Sequence, residues 1–340
     1  MSNISISSYE RSFLKSSISL LSNSLKVSSK KGMRIASNSQ SPLLHCHKIF
    51  FSISFKILPY NSYVERKSLV NLEYLSILEI NGKGSFDLLQ GQITADMEKV
   101  SPDNCVLGAI CNIKGRVINS FIVALNPHKE DSYFLVTNNY VLERTKNVLD
   151  KYKPFYKCSI DICNDYSFYG ITEGLLIKGF PETNLNESFQ NYKSHFRFHY
   201  LEKKIHLIAL KEMHDFEEYD ISSDVEPWKI DEIKNLNFEI NPQVSEKFTP
   251  HELGYHLTTR IDFEKGCYTG QEIVARMHYR AKKLPTLSVV STKNKLRPLQ
   301  EITDQRDKLM GIVLASANAG DSTCCLLSLN KNFSDQKLVL

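Results

Sequence analysis

The chain has 340 residues, 42% of them hydrophobic, which is enough to bury two or three packed cores. Its net charge of +4 with 24% charged residues tolerates an anionic partner without demanding one. No stretch approaches the roughly 18 uninterrupted apolar residues of a membrane-spanning helix, which argues against a membrane span.

The first 62 residues differ from the rest. They are rich in serine, carry eight Lys or Arg by residue 60, and contain a single acid, Glu10, before Glu65. Such an acid-poor segment is expected to be a disordered extension. It also has the composition of a transit peptide, although lysine outnumbers arginine here, which weakens that reading. A globular pattern begins near Tyr63. Leu75–Ile80 reads as a strand, and Gly82 and Gly84 lead into a short apolar helix around Phe86–Leu89. Cys105–Cys111 and Val117–Leu125 are apolar runs on either side of Asn112-Ile-Lys-Gly115, a hairpin signal with Gly115 free to take positive φ. Ser132–Thr137 is a further strand. Asn138 or Asn139 caps a helix with apolar positions Val141, Leu142, Val148 and Leu149, ending before Pro154. Cys158–Cys163 and Ile205–Leu210 read as strands. Asp224 precedes Glu226-Pro-Trp228, a helix start with an acid and a proline in its first turn. Beyond Pro285, Thr286–Val290, Met310–Ala315 and Thr323–Leu329 are short strands between polar turns, the pattern of a small β-barrel. The sum is an α+β chain with mostly antiparallel strands.

Eight cysteines are spread through the chain without a C-x-x-C pair, which suits free thiols in a reducing compartment and offers no local metal motif. The segment Lys265-Gly-Cys-Tyr-Thr-Gly-Gln-Glu272 stands out. Two glycines bracket Cys267 and Tyr268, so the backbone is free to turn tightly and lift a thiol to a surface. Gln271–Arg280 then reads as a helix. A thiol just ahead of a helix N-terminus and near Lys265 has its thiolate favoured by dipole and ammonium. A buried structural cysteine in a tight turn accounts for the same spacing equally well. Arg260, Lys265, Arg276, Arg280, Lys282 and Lys283 make the neighbourhood basic, either as a site for an anionic ligand or as a solvated helix face. Trp228, the sole tryptophan, either fills a core or stacks on a flat heteroaromatic ring. His251 and His256 superficially resemble a zinc-protease pair. Their five-residue spacing and Gly254 keep them off one helical face. His45-Cys46-His47 is too crowded for a local site.

At Lys265–Glu272 the chain resembles the YgfZ family of folate-binding proteins, whose signature K-G-C-Y-x-G-Q-E is met at every fixed position. Leu89–Asp96 resembles the family's L-Q-G-Q-x-T-x-D segment. Cys111–Arg116 resembles its C-x-x-K-G-[KR] hairpin, and Phe248-Thr-Pro250 its F-x-P element. The resemblance spans roughly residues 65–330. It implies two intertwined aminomethyltransferase-like folate-binding subdomains (63–283) and a C-terminal β-barrel (284–340) around a central channel. It also implies tetrahydrofolate as ligand, iron–sulfur proteins as clients, and Cys267 as the functional thiol. Effects on tRNA modification are then indirect, no conventional catalytic activity or direct nucleic-acid contact is expected, and the expected state is a monomer. Trp228 stands 39 residues before Cys267, where the family has a folate-associated tryptophan. Where a second is expected the chain has Tyr74-Leu75. Lys265, Tyr268, Gln271 and Arg276 complete the folate-binding candidates implied. The family's glycine after the Trp228 helix is replaced by Asn235-Leu236. The related aminomethyltransferases carry paired aspartates in the hairpin, and the matching positions here are Asn119 and Ser120. That departure argues against the alternative of a folate-dependent aminomethyltransferase; an RNA-modifying enzyme is a further alternative. A bacterial cytoplasm is the expected compartment, with the mitochondrial matrix as second choice.

Overall fold

A computed structural model of the protein describes residues 68–171, 187–192, 195–200, 205–211, 220–281, 284–304 and 306–330. The N-terminal extension, with its His45-Cys46-His47 run, lies outside these residues, as do Lys282 and Lys283.

The chain enters through β1 (Ser68–Asn71) and then builds a five-stranded sheet from β2 (Leu75–Asn81), β3 (Val106–Cys111), β4 (Val117–Leu125), β5 (Ser132–Asn138) and β6 (Ser159–Cys163), in the order β3-β4-β5-β2-β6. It then returns to the sheet it started. β7 (Ser167–Ile171), β8 (Phe189–Asn191), β9 (His195–Tyr200), β10 (Ile205–Leu210) and β11 (Asp220–Ser222) join β1 in the order β11-β1-β7-β10-β9-β8. Only the β1–β11 pair of this sheet is parallel. Because β1 precedes the five-stranded sheet and its partners follow it, the six-stranded sheet is discontinuous in sequence, whereas the five-stranded one is built from the single stretch Leu75–Cys163.

Alternation explains the layering. On β2, Leu75 and Ile77 face one way and Leu78 and Ile80 the other. The first pair meets Phe168, Phe189, Phe196, Phe198 and Trp228 between the two sheets. The second pair is covered by α1 (Ser85–Gln92) and α2 (Asn139–Asp150), through Leu88, Leu89, Leu142 and Leu149. The five-stranded sheet is therefore a middle layer, which is why β4 is buried at eight consecutive positions. Each fully buried phenylalanine contributes about 2–3 kcal/mol of transfer free energy. Asn138 caps α2 by accepting from the Tyr140 amide at 3.0 Å.

α3 (Glu226–Lys234) begins with the Asp224 carboxylate accepting from the Glu226 amide at 3.0 Å. It ends in a Schellman motif. The amide of Leu236 reaches the Ile233 carbonyl and that of Asn237 the Glu232 carbonyl, at 3.0 and 2.9 Å. The motif requires a left-handed residue, and Leu236 takes φ +56°. The turn expected of glycine is thus kept by leucine at a strain of about 1–2 kcal/mol, offset by packing of its side chain on the core beneath α3.

The C-terminal part is a four-stranded antiparallel sheet of β12 (Thr286–Thr292), β13 (Glu301–Thr303), β14 (Leu309–Asn318) and β15 (Thr323–Leu329), in the order β12-β15-β14-β13. Among the described residues β12 and β13 do not pair, so this is an open sheet where a barrel was expected. Leu314, Ala317, Cys324 and Leu326 seal it against Ile233, Phe238, Tyr255 and Val274.

Candidate functional site

The four segments that stood out in the sequence pack against one another, and the contacts show why each residue type is needed. The hairpin turn is closed by Asn112, whose side-chain oxygen accepts from the Lys114 and Arg116 amides at 3.0 Å each. Gly115 sits at φ +67°, and a Cβ there would lie 2.9 Å from Ile273. Gly270 answers from the other side. It has φ +87°, and a Cβ would lie 2.6 Å from the Asn112 carbonyl oxygen and 3.1 Å from the Cys111 Cβ. The two glycines interlock the hairpin with the start of α4 (Gln271–Arg280). The Phe248-Thr-Pro250 segment runs along β4: the Val117 amide donates to the Phe248 carbonyl at 2.9 Å and the Glu246 amide to the Val117 carbonyl at 2.7 Å. Arg116 reaches the Lys247 carbonyl at 2.7 Å and Glu252 at 3.1 Å.

Lys265 ties in the remaining segment. Its buried ammonium donates to the carbonyls of Gln90, Ile93 and Ala95 at 2.8, 2.7 and 2.8 Å, and stands 5.3 Å from the centre of the Tyr268 ring. Burial pulls its pKa down to about 8, against the raising influence of Asp96 and Asp262. At neutral pH all three ammonium protons are therefore held by backbone carbonyls, and Lys265 is a staple between loop and helix end. Thr269 adds a bond to Gln92 at 2.9 Å. Replacing Lys265 with methionine leaves three carbonyls without their donor. We expect it to weaken attachment of residues 89–96 by about 1–3 kcal/mol. Hydrogen exchange should rise there and in 265–270 but not in β4 and β5, and unchanged exchange in both segments would refute the staple.

The product of this packing is an exposed thiol. Cys267 is the only exposed cysteine among the described residues; Cys105, Cys111, Cys324 and Cys325 are buried. The neighbouring Tyr268 is buried, and its hydroxyl is pushed above the usual phenol range by burial and by Cys111. Gly266 is exposed, has no left-handed φ, and a Cβ there would meet nothing within 4 Å. Only Gly270 of the bracketing pair is sterically required.

The basic surroundings thin out in three dimensions. Arg260 and Lys265 are buried, and Arg276 pairs with Glu272 at 2.5 Å along the exposed face of α4. Such a pair contributes little to stability. Gln271 is half-buried, and its amide donates to the Tyr268 carbonyl at 3.1 Å.

A second polar cluster lies in the interior, and sequence reading found only its edge. Trp228 is 1% exposed, and Gly170 is flush with its ring: a Cβ there would lie 2.2 Å from it. The indole N–H donates to the Tyr74 hydroxyl at 3.1 Å. The two aromatic candidates thus touch each other, and Trp228 fills the core instead of offering a free face for stacking. One turn on, Glu232 is buried. It accepts from the Tyr200 hydroxyl at 3.1 Å and from the Asn237 amide, and Asn237 in turn accepts from Arg260 at 2.8 Å. Arg260 also donates to the Phe121 carbonyl at 3.2 Å, lies 5.3 Å from the Tyr255 ring centre, and keeps a buried Nε without a partner among the described residues. Burial, then the charge of Glu239, pushes Glu232 up to about 8; burial raises Glu239 as well, with Arg260 opposing. Burial, with Glu239 and Glu232, keeps Tyr74 well above the usual phenol range. Asn119 donates to the Thr137 and Thr145 hydroxyls at 2.8 and 2.7 Å, and Ser120 accepts from the Ile240 amide at 3.0 Å. Both are committed to the core.

The histidines set aside in the sequence do meet. Residues 251–259 form turns, not a helix, and bring the His251 and His256 rings to 5.0 Å, with His278 of α4 at 5.9 Å from His251. Among the described residues no group of histidine, cysteine or acid side chains is arranged to hold a metal ion, and no helix is long and apolar enough to cross a membrane.

No family model matches the chain. It is 25% identical over 301 residues to the "tRNA-modifying protein YgfZ" of Colwellia psychrerythraea, covering 82% of this chain and 90% of that one. It is 26% identical over 233 residues to the protein of the same name from Aliivibrio fischeri strain MJ11, covering 66% and 70%. Its fold is similar to that of the glycine cleavage system aminomethyltransferase T of Bartonella henselae, with a TM-score of 0.58 over 77% of this chain and 78% of that one at 12% identity.

Proposed function

The chain is a relative of the YgfZ proteins on an aminomethyltransferase-like fold, and from that premise we propose that it is a tetrahydrofolate-binding protein serving the assembly or repair of iron–sulfur proteins through Cys267. The observation that carries this reading is the convergence of residues 89–96, 111–116, 248–250 and 265–272 on a loop whose outward product is one exposed thiol. Four segments fixed by glycines and a buried ammonium would be an elaborate way to hold a structural cysteine.

The interior cluster suits a reduced pterin. Such a ring presents adjacent N–H donors and a carbonyl. Glu232 and Glu239 supply acceptors, while the unpartnered Nε of Arg260 and the Tyr74 hydroxyl supply donors. Trp228 contributes as the wall behind Tyr74. A reduced folate supplies a carrier for one-carbon units when bound. Cys267 acts away from that cluster, as a transient thiolate ligand to client iron or as a redox-sensitive thiol. The tRNA modification for which the similar proteins are named follows indirectly where the modifying enzymes are themselves cluster proteins. The protein would act as a monomer in a bacterial cytoplasm, or in the mitochondrial matrix if residues 1–62 direct it there. A central channel belongs to the same proposal. The aminomethyltransferase alternative lacks a carboxylate at Asn119 and Ser120 to stabilise a cationic amine. The reading as an RNA-modifying enzyme loses Arg260 and Lys265 from its basic surface, since both are buried.

Two measurements test the proposal separately. Tetrahydrofolate should change the emission of Trp228, with Glu232→Gln weakening the response about tenfold or more. A wild-type chain indifferent to tetrahydrofolate would sink the folate half. In a deletion strain, Cys267→Ala should fail to restore cluster-enzyme activity under oxidative stress while changing stability by less than about 0.5 kcal/mol, since the side chain is exposed. Full restoration by this variant would sink the thiol half.

A further inference from the structure

His251 has no exposed surface, and neither of its ring nitrogens has a partner among the described residues; one nitrogen each of His256 and His278 is in the same position. His251 stands 5.0 Å from His256 and 5.9 Å from His278, and Phe263 stacks on His278 at 3.7 Å. These rings join the 249–259 turn, the segment before Cys267 and helix α4, which starts four residues after Cys267. We propose that His251, His256 and His278 form an acid-sensitive latch that holds α4 on the 249–259 turn and opens when the cluster takes up protons.

The argument is one of charge. A protonated imidazole needs an acceptor, and the buried ring nitrogens have none among the described residues. On the turn itself, the Glu252 carboxylate is taken by Arg116 and by the amide and hydroxyl of Thr249. On the segment of Phe263, Asp262 pairs with Lys99 and Glu264 is exposed. On α4, Glu272 pairs with Arg276, and Arg280 adds positive charge at the exposed end. Burial first, then the charges of His256 and His278, hold His251 down at about 4; burial, with His278, lowers His256 too. An open, solvated imidazole titrates near 6.5. The closed latch therefore excludes protons that the open one binds. Its full strength is present above about pH 6.5 and is lost as pH falls toward 4. Opening should become favoured on the order of tenfold or more between pH 7.5 and pH 5.

Hydrogen exchange of the full chain at pH 7.5 and 5.0, corrected for the intrinsic rate, tests this. Protection of residues 271–280 should fall at least tenfold at the lower pH, while β4 and β5 keep theirs. His251→Phe, which fills the space without titrating, should remove most of that difference. Equal protection of α4 at both pH values in the wild type overturns the latch, as does an undiminished difference in His251→Phe. If that variant does not fold, the wild type labelled with 15N-histidine decides. An imidazole assigned to His251 and still neutral at pH 5 supports the latch, and titration of His251 at or above pH 6.5 overturns it.

Discussion

Replacing Arg260 with methionine is expected to cost about 3–5 kcal/mol, the largest stability loss of any single substitution considered. The guanidinium is fully buried and holds the Phe121 carbonyl and Asn237 together, and through Asn237 it supports Glu232. It is also the positive charge that opposes the upward shift of Glu232 and Glu239. Methionine restores the volume but leaves two acids and an amide without their partner. Arg260→Lys should recover little, because a point charge cannot span a backbone carbonyl and a side-chain amide at once. Thermal unfolding should shift down by many degrees, and the loss should grow as pH rises. The sign follows from Glu232. Its pKa in the fold, about 8, exceeds the ordinary carboxylate value, so the folded chain binds more protons than the unfolded one between about pH 4.5 and 8. Stability from this group falls through that window, and the fall should steepen once the counter-charge is gone. A loss under about 1 kcal/mol would mean that the cluster is solvated and the network unimportant.

Gly270→Ala should be the most damaging change in the Cys267 loop, and Gly266→Ala the most innocuous. At Gly270 a side chain meets two costs: a left-handed backbone, about 1–2 kcal/mol, and an approach of 2.6 Å to the Asn112 carbonyl, which belongs to a turn that cannot yield easily. Together they amount to about 2–4 kcal/mol. The hairpin and α4 should separate, with hydrogen exchange rising in both. Gly266 has open space and an ordinary backbone, so alanine there should stay within about 0.5 kcal/mol of wild type. Equal behaviour of the two variants would show that the interlock with the hairpin is not what shapes the loop.

The elements that announced themselves in the sequence did so through local chemistry. Asn138 caps α2, Gly115 turns the hairpin, and α4 spans Gln271–Arg280 as its pattern requires. β9 was also readable: Phe196, Phe198 and Tyr200 alternate with His195, Arg197 and His199, a period of two that its mixture of aromatic and basic residues obscured. The site was harder. Cys267 could be found from its octapeptide. The role of Lys265 could not, because its partners are backbone carbonyls, which leave no trace in side-chain identity. Arg260 looked like one more surface cation, since composition carries no burial information. Glu232 was missed although a signal existed: it lies four residues after Trp228, so a buried indole should have implied a buried acid on the same helical face. The histidines were dismissed on helical spacing, and the segment is not helical.

The staple at Lys265 also sets the order in which the molecule can be made. Its carbonyl acceptors precede it by 170 to 175 residues. A ribosome delivers those carbonyls early and the ammonium late. Until synthesis passes Glu272, residues 89–96 must wait with their acceptors facing solvent, and closing so long a loop is entropically among the dearer steps of folding. Presentation of the thiol thus depends on a late event: until Lys265 has been made, nothing fastens residues 89–96 to the loop that carries Cys267.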